Sequence, residues 1–223
     1  MTVANAVPPH PSAPRAVLEP WVVAHLHPLS DYDPVLHRVR SDFDLNPHMA
    51  TGSAEVELIS AAVLIALVER PEGMSVILTR RADTLSRHSG QIALPGGRIE
   101  PGETPWAAAL REAHEEIALD PAFVRVAGIS DPYHTVTGFE VVPVVGFVQP
   151  GFVLQASEGE VAEIFETPFG FLMDPANHQK RMQDAPGGRR CFYAMPYGER
   201  FIWGATAGML RSLYERLFGP EGD

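Results

Sequence analysis

Apolar positions along this chain follow two rhythms, and each rhythm marks a kind of element. Between residues 61 and 69 they run almost without a break, stop at Pro71-Glu72-Gly73 and resume over 75–80, which predicts two strands joined by a tight turn. A short strand is expected at 91–94, another at 124–129, and a longer one at 139–148 broken at Pro143, because proline has no amide to give a ladder. A spacing of three to four residues replaces the strand rhythm at Val35, Leu36, Val39 and Phe43, at 105–117 and at 205–218, and predicts amphipathic helices. Pro34 is acceptable in the first turn of the helix over 33–43. A loop is expected at 48–53 and a short helix at 161–165.

Strands do not alternate regularly with helices and no internal repeat is visible. The order of elements therefore predicts an α+β fold, a mixed β-sheet sandwiched by helices, rather than a doubly wound one. Residues 1–30 carry Pro8, Pro9, Pro11, Pro14, Pro20 and Pro28, a density that opposes helix and sheet alike, and read as an extended, proline-rich N-terminal arm. Residues 31–223 are expected to form a single domain. Composition agrees, since 223 residues that are 45% apolar and 20% charged suffice for one well-filled core. Pro186-Gly187-Gly188-Arg189 reads as a turn.

The longest apolar run, 58–68, falls short of the roughly 20 residues that a membrane span needs. No leader pattern opens the chain and Cys191 stands alone, so the expected compartment is cytoplasmic. A net charge of −11, from 28 acidic and 17 basic residues, argues against adhesion to nucleic acid or to an anionic membrane. A small anionic substrate is still allowed where local cations offset the field. The oligomeric state stays open.

The densest chemistry surrounds the helix at 105–117. Thr104 is a natural N-cap and Pro105 a natural first helical residue. At about 100° per residue Glu112, Glu115 and Glu116 fall on one side, while Trp106, Leu110, Ala113 and Ile117 lie roughly opposite. Like charges three and four apart destabilise a helix, and no lysine at those spacings relieves them. Such a triplet is either a solvated acidic face or a cation site. Carboxylate clusters suit hard divalent cations, and Mg²⁺ takes few protein ligands while recruiting substrate phosphates. A Mg²⁺ or Mn²⁺ site acting on a pyrophosphate is the expectation.

The spacing Gly-x5-Glu-x7-Arg-Glu-x-x-Glu-Glu, from Gly97 through Glu103, Arg111 and Glu112 to Glu116, resembles the Nudix box. The resemblance implies an α/β/α sandwich and hydrolysis of a nucleoside diphosphate linked to another moiety. It implies metal ligation by Glu112, Glu115 and Glu116 with a carbonyl from Gly97, support from Glu103 and Arg111, and a general base at Glu115 or Glu160. Ala113 stands where a larger aliphatic is usual, and Ala118 where the box has glycine. If Ala118 keeps a left-handed cap conformation, the cost is ~1 kcal/mol.

Just upstream, Ile77-Leu78-Thr79-Arg80-Arg81 and Arg87-His88-Ser89-Gly90-Gln91 lead to Pro95-Gly96-Gly97, and resemble the signature of the coenzyme A pyrophosphatase branch of that family. Ser86 stands where arginine is expected and Leu94 where phenylalanine is expected. Thr137-Gly138-Phe139, Val142-Pro143, Glu160-Val161 and Ile202-Trp203-Gly204-Ala205-Thr206 are similar to that branch too. The resemblance implies cleavage of coenzyme A, or an acyl-CoA, to 4'-phosphopantetheine and adenosine 3',5'-bisphosphate. Arg80, Arg81, Arg87 and His88 form the densest positive run of an acidic chain and, with Gly90 and Gln91, are the expected substrate contacts. The rival readings are a Nudix pyrophosphatase for ADP-ribose, dinucleotides or nucleoside triphosphates, and a noncatalytic nucleotide-binding domain of the same fold.

Overall fold

The structure is a computed structural model and describes residues 7–31, 39–50, 58–83, 90–185 and 188–219. In chain order its elements are α1 (Arg15–His25), β1 (Arg40–Ser41), α2 (Pro47–Ala50), β2 (Ile59–Arg70), β3 (Gly73–Arg81), β4 (Ile92–Ala93), β5 (Gly96–Arg98), α3 (Pro105–Ile117), β6 (Val124–Ile129), β7 (Tyr133–His134), β8 (Phe139–Val148), β9 (Val161–Pro168), α4 (Phe169–Leu172), β10 (Gln179–Ala185), β11 (Gly188–Tyr197), β12 (Arg200–Trp203) and α5 (Ala205–Phe218). A nine-stranded mixed sheet runs β1-β7-β8-β2-β3-β4, with β5 on β2, β6 on β8 and β9 on β3. At its centre β2 and β8 lie parallel from Ile59↔Phe139 to Val68↔Val148.

Side chains alternate across a strand, so the central pair feeds two cores. Ile65 and Leu67 of β2, with Val145 and Phe147 of β8, meet Leu18 and Val22 of α1 and Leu210, Leu213 and Leu217 of α5. Leu64, Ala66 and Val68, with Val142 and Val144, meet Ala108, Ala109, Ala113 and Ile117 of α3. Burial on both faces explains why β2 reads as a continuous apolar run. The expected α/β/α sandwich of a mixed sheet and flanking helices is therefore present. No helix among the described residues is long and apolar enough to cross a membrane.

Several local expectations need correction. The extended arm is helical over part of its length, because α1 runs through Pro20. Proline in a helix interior costs ~3 kcal/mol. The burial of Leu18 and Val22, and a 2.8 Å bond from Trp21 Nε1 to the Leu217 carbonyl, offset that defect. Of the helix expected over 33–43, residues 33–38 lie outside the described residues. The rest is not α-helical: Arg40–Ser41 pair with Tyr133–His134, and Asp42–Asp44 form a single turn of 3-10 helix. The buried side chains there are the polar Asp42 and Asn46 rather than Phe43, so apolar spacing misleads. The loop expected at 48–53 begins as the short helix α2, and residues 51–57 lie outside the described residues.

Residues 161–165 are strand, not helix. The outer edge of β3 needs a partner, and β9 supplies it from Ser75↔Pro168 to Arg81↔Val161. Nor does Pro143 break β8. Its carbonyl accepts from Ser130 N at 2.9 Å, so its nitrogen faces the same side. There β6 ends opposite Val144 and β7 begins opposite Val141, and no ladder bond is required of it. The three-stranded sheet β10-β11-β12 is not foreshadowed by the apolar pattern. Gly188 and Arg189 of the expected turn begin β11, while Pro186 and Gly187 lie outside the described residues.

Candidate functional site

Both ends of α3 are fixed as its sequence demands. Thr104 Oγ1 accepts from Ala107 N at 3.3 Å and Pro105 opens the helix. At the other end Ala118 holds φ 55 and ψ 26, with Ala118 N donating to His114 O at 2.9 Å and Leu119 N to Ala113 O at 3.4 Å. The left-handed cap is kept without glycine.

Arg111 ties this helix to the turn before it. Its Nε and Nη2 donate to the two oxygens of Glu103, each at 3.0 Å, and Nη2 also reaches the Arg98 carbonyl at 3.0 Å. Lysine could not reproduce this planar fork. The guanidinium holds the Glu103 carboxyl below the usual carboxylate range, and Glu103 in turn keeps Arg111 firmly protonated. Nη1 donates to Glu112 Oε1 at 2.9 Å and to Glu115 Oε2 at 3.3 Å. Arg111 itself thus relieves the repulsion for which no lysine is present.

The carboxylates occupy different surroundings. Glu116 is 6% exposed, its Oε2 accepting from Gly96 N at 3.2 Å and its Oε1 lying 3.7 Å from Arg81 Nη1. Burial pushes its carboxyl up to about 7, the Gly96 amide and Arg81 oppose the rise, and the charges of Glu112 and Glu160 add to it. Glu112 lies over Gly97, where a Cβ would sit 2.5 Å from its carboxyl carbon. Gly96 is equally constrained, since a Cβ there would lie 2.3 Å from the Ala62 carbonyl. Glu115 points outward with its side chain 56% exposed. Glu160 is exposed at the start of β9, its carbonyl accepting from Ala82 N at 2.8 Å.

Among the described residues no three acidic, histidine or cysteine side chains are already gathered into a cage. What α3 presents is a set of carboxylate oxygens beside a glycine strand whose lack of a side chain at Gly97 makes room for the Glu112 carboxyl. Such a set fits Mg²⁺ or Mn²⁺, which take few protein ligands and leave positions for substrate oxygens.

The upstream basic motif divides. Arg81 turns toward Glu116, whereas Arg80 Nη1 pairs with Asp83 Oδ1 at 3.0 Å and Arg80 Nε lies 3.9 Å from Glu163. Arg80 lines a cleft of about 600 Å³ with Gly90, Gln91, Arg200 and Trp203. Arg81 lines a second, of about 210 Å³, which shares Gln91 and Trp203. Arg87 and His88 lie outside the described residues. Asp42 and Arg190 also line the second cleft, joined at 3.0 Å across 148 positions, and no local pattern could have paired them.

The family model described as NUDIX domain matches residues 59–185. A Nudix hydrolase of Cronobacter sakazakii, NudL, described as uncharacterized, is 41% identical over 180 residues, which span 80% of this chain and 92% of the relative. NudL of an Enterobacter species is 43% identical over 159 residues, 69% of this chain and 80% of the relative. Among solved structures, a C. elegans Ap4A hydrolase binary complex aligns with TM-score 0.44 at 20% identity, covering 52% of this chain and 82% of that one. RenU, a Nudix hydrolase from M. smegmatis, aligns with TM-score 0.43 at 27% identity, covering 49% and 70%. The family match and the NudL relatives together establish that this chain belongs to the Nudix family, as a hydrolase of pyrophosphate linkages.

Proposed function

We propose that this Nudix hydrolase cleaves coenzyme A or its acyl thioesters to 4'-phosphopantetheine and adenosine 3',5'-bisphosphate. The observation that carries the reading is the 3.7 Å approach of Arg81 to Glu116, which brings the coenzyme A-like basic motif onto the glutamate helix. Glu112, Glu115, Glu116 and the Gly97 carbonyl would hold Mg²⁺ or Mn²⁺, and such an ion neutralises pyrophosphate charge and acidifies water.

The chain's own residues do the rest. Arg111 clamps Glu103 and the Arg98 carbonyl, keeping Gly97 in register with Glu112. Arg81 offers its guanidinium to a phosphate oxygen, and Gln91 lines the approach. Glu115 and Glu160, both exposed, are the two candidates to take the attacking water's proton onto a carboxylate oxygen. As the water's oxygen bonds to one phosphorus, the bridging P–O bond breaks and its oxygen leaves with the other phosphate. With its carboxyl raised to about 7 by burial, Glu116 is part-protonated at neutral pH, and holding a cation would require it in the carboxylate form.

Purified protein incubated with coenzyme A, ADP-ribose or NADH, with and without Mn²⁺, tests this reading by product mass. Coenzyme A should be consumed only with the cation, giving the two named products. Preferred cleavage of ADP-ribose or NADH overturns the substrate assignment and leaves pyrophosphate hydrolysis standing. Tight binding without turnover favours the noncatalytic reading.

A further inference from the structure

Besides Arg81 and Gln91, which pyrophosphate hydrolysis uses, the smaller of the two clefts is lined by Asp42 and Arg190, which it does not. Its volume of about 210 Å³ is below the roughly 300–1,000 Å³ of a site that holds a whole small molecule, so it suits one group of a larger substrate. Three charged side chains line it, namely Arg81, Arg190 and Asp42, which leaves a positive balance in a chain of net charge −11. Arg81 joins it to the glutamate helix.

Asp42 does not cancel the arginines; it is already engaged. Its Oδ1 accepts from the Tyr133 hydroxyl at 3.0 Å, and its Oδ2 accepts from Val136 N and from Arg190 Nη2, each at 3.0 Å. Burial and the Asp42 charge push the Tyr133 hydroxyl up, so it remains a donor. The strand that carries Arg190 is clipped to the same segment by Asn46. Its Nδ2 donates to the carbonyls of Asp42 and Cys191 at 2.7 and 2.8 Å, and its Oδ1 accepts from Cys191 N at 2.6 Å. Arg190 is therefore held in place, yet its buried Nε has no partner, and the buried Nε of Arg81 has none either. Two oriented guanidiniums that keep unused hydrogen-bonding capacity are suited to an anion with several oxygens.

The other walls agree. Thr137 stands at the rim, and Trp203, set at 61° to Phe192 with ring centroids 5.2 Å apart, lies between this cleft and the larger one. Here α5 begins, and its N-cap Gly204 offers no side-chain acceptor to the first-turn amides.

We infer that this cleft is a subsite for a phosphomonoester that the substrate carries in addition to its pyrophosphate. Arg190 is then a specificity residue, and Asp42 and Asn46 are positioning residues that aim it. This assignment rests on the pyrophosphatase reading of α3 and narrows it to nucleoside diphosphate derivatives bearing a further phosphate on the nucleoside.

Two probes that differ only in that group, adenosine 3',5'-bisphosphate and adenosine 5'-monophosphate, decide the matter by calorimetry on the intact chain. The wild type should bind the bisphosphate tighter by on the order of tenfold or more. Arg190→Gln should bring the two within about twofold by weakening the bisphosphate alone, with Arg190→Lys between. Thr137 is exposed, so Thr137→Glu tests the same cleft without disturbing Asp42, and should also abolish the preference. Equal affinities in the wild type overturn the subsite, as does Arg190→Gln weakening both probes alike. The two readings fail separately. A chain that prefers the bisphosphate but turns over neither coenzyme A nor its 3'-dephospho form keeps the subsite and loses the coenzyme A hydrolysis reading. A chain that hydrolyses both with the same KM does the reverse.

Discussion

Replacing Ala118 with glycine should stabilise the protein. Ala118 is the one non-glycine residue with positive φ among the described residues, and it sits at the end of the helix that carries the glutamates. An L-residue in the left-handed region costs roughly 1–2 kcal/mol, with alanine at the low end. Glycine removes that strain but gives the unfolded chain ~0.4–1 kcal/mol of extra freedom. The balance favours Ala118→Gly by ~0.5 kcal/mol, or a rise of about 1–2 °C for a domain of this size. The Ala118 and Leu119 amides keep their partners, and no proposed ligand moves. Urea denaturation followed by far-UV circular dichroism measures the midpoint. Ala118→Val serves as the opposite control, since a branched side chain fits this conformation worse. A glycine variant with its midpoint at or below wild type, at unchanged slope, would refute the strain argument.

The remaining predictions concern the site. The Glu116 carboxyl is raised from 4.5 to about 7 in the folded, metal-free chain, so its contribution to stability is complete below about pH 4.5 and is lost as pH rises through 7. Glu116→Gln should therefore be more stable than wild type in chelator above pH 7, and urea midpoints from pH 5 to 8.5 that keep the wild-type slope would contradict this. Gly97→Ala drives a methyl into the Glu112 carboxyl, and should weaken Mn²⁺ activation and cut turnover by about tenfold or more while leaving the urea midpoint nearly unchanged. Arg111→Lys loses the fork on Glu103 and the Arg98 carbonyl bond. It should cost ~1 kcal/mol of stability and a larger share of turnover, read from parallel denaturation and rate measurements.

Elements whose cause is local were legible in the sequence. Thr104-Pro105 announces α3, and the expected bounds of β6, β8 and α5 agree with the structure because periodicity and caps act within a few residues. Elements whose cause is distant were not. Residues 161–165 are too short an apolar run to separate helix from strand, and the open edge of β3 decides the matter. Asp42 and Asn46 look like surface residues until Tyr133, Arg190 and Cys191 arrive from far along the chain. The site divides in the same way. Spacing singled out the glutamates as candidates, but their burial depends on where β5 passes, which makes Glu116 buried and Glu115 exposed. Adjacent arginines, Arg80 and Arg81, face different clefts, and only Arg81 meets the glutamate helix.

We propose that the carboxylates of α3 carry a cation-dependent hydrolysis of pyrophosphate linkages. Its most direct test is the initial rate of coenzyme A cleavage at saturating Mn²⁺ by wild type and by Glu112→Gln, with folding checked by circular dichroism. Cation-dependent turnover in the wild type and a loss of about a hundredfold or more in the folded variant is the expected result. Near-native turnover by Glu112→Gln, or a wild-type rate indifferent to chelation, would contradict it.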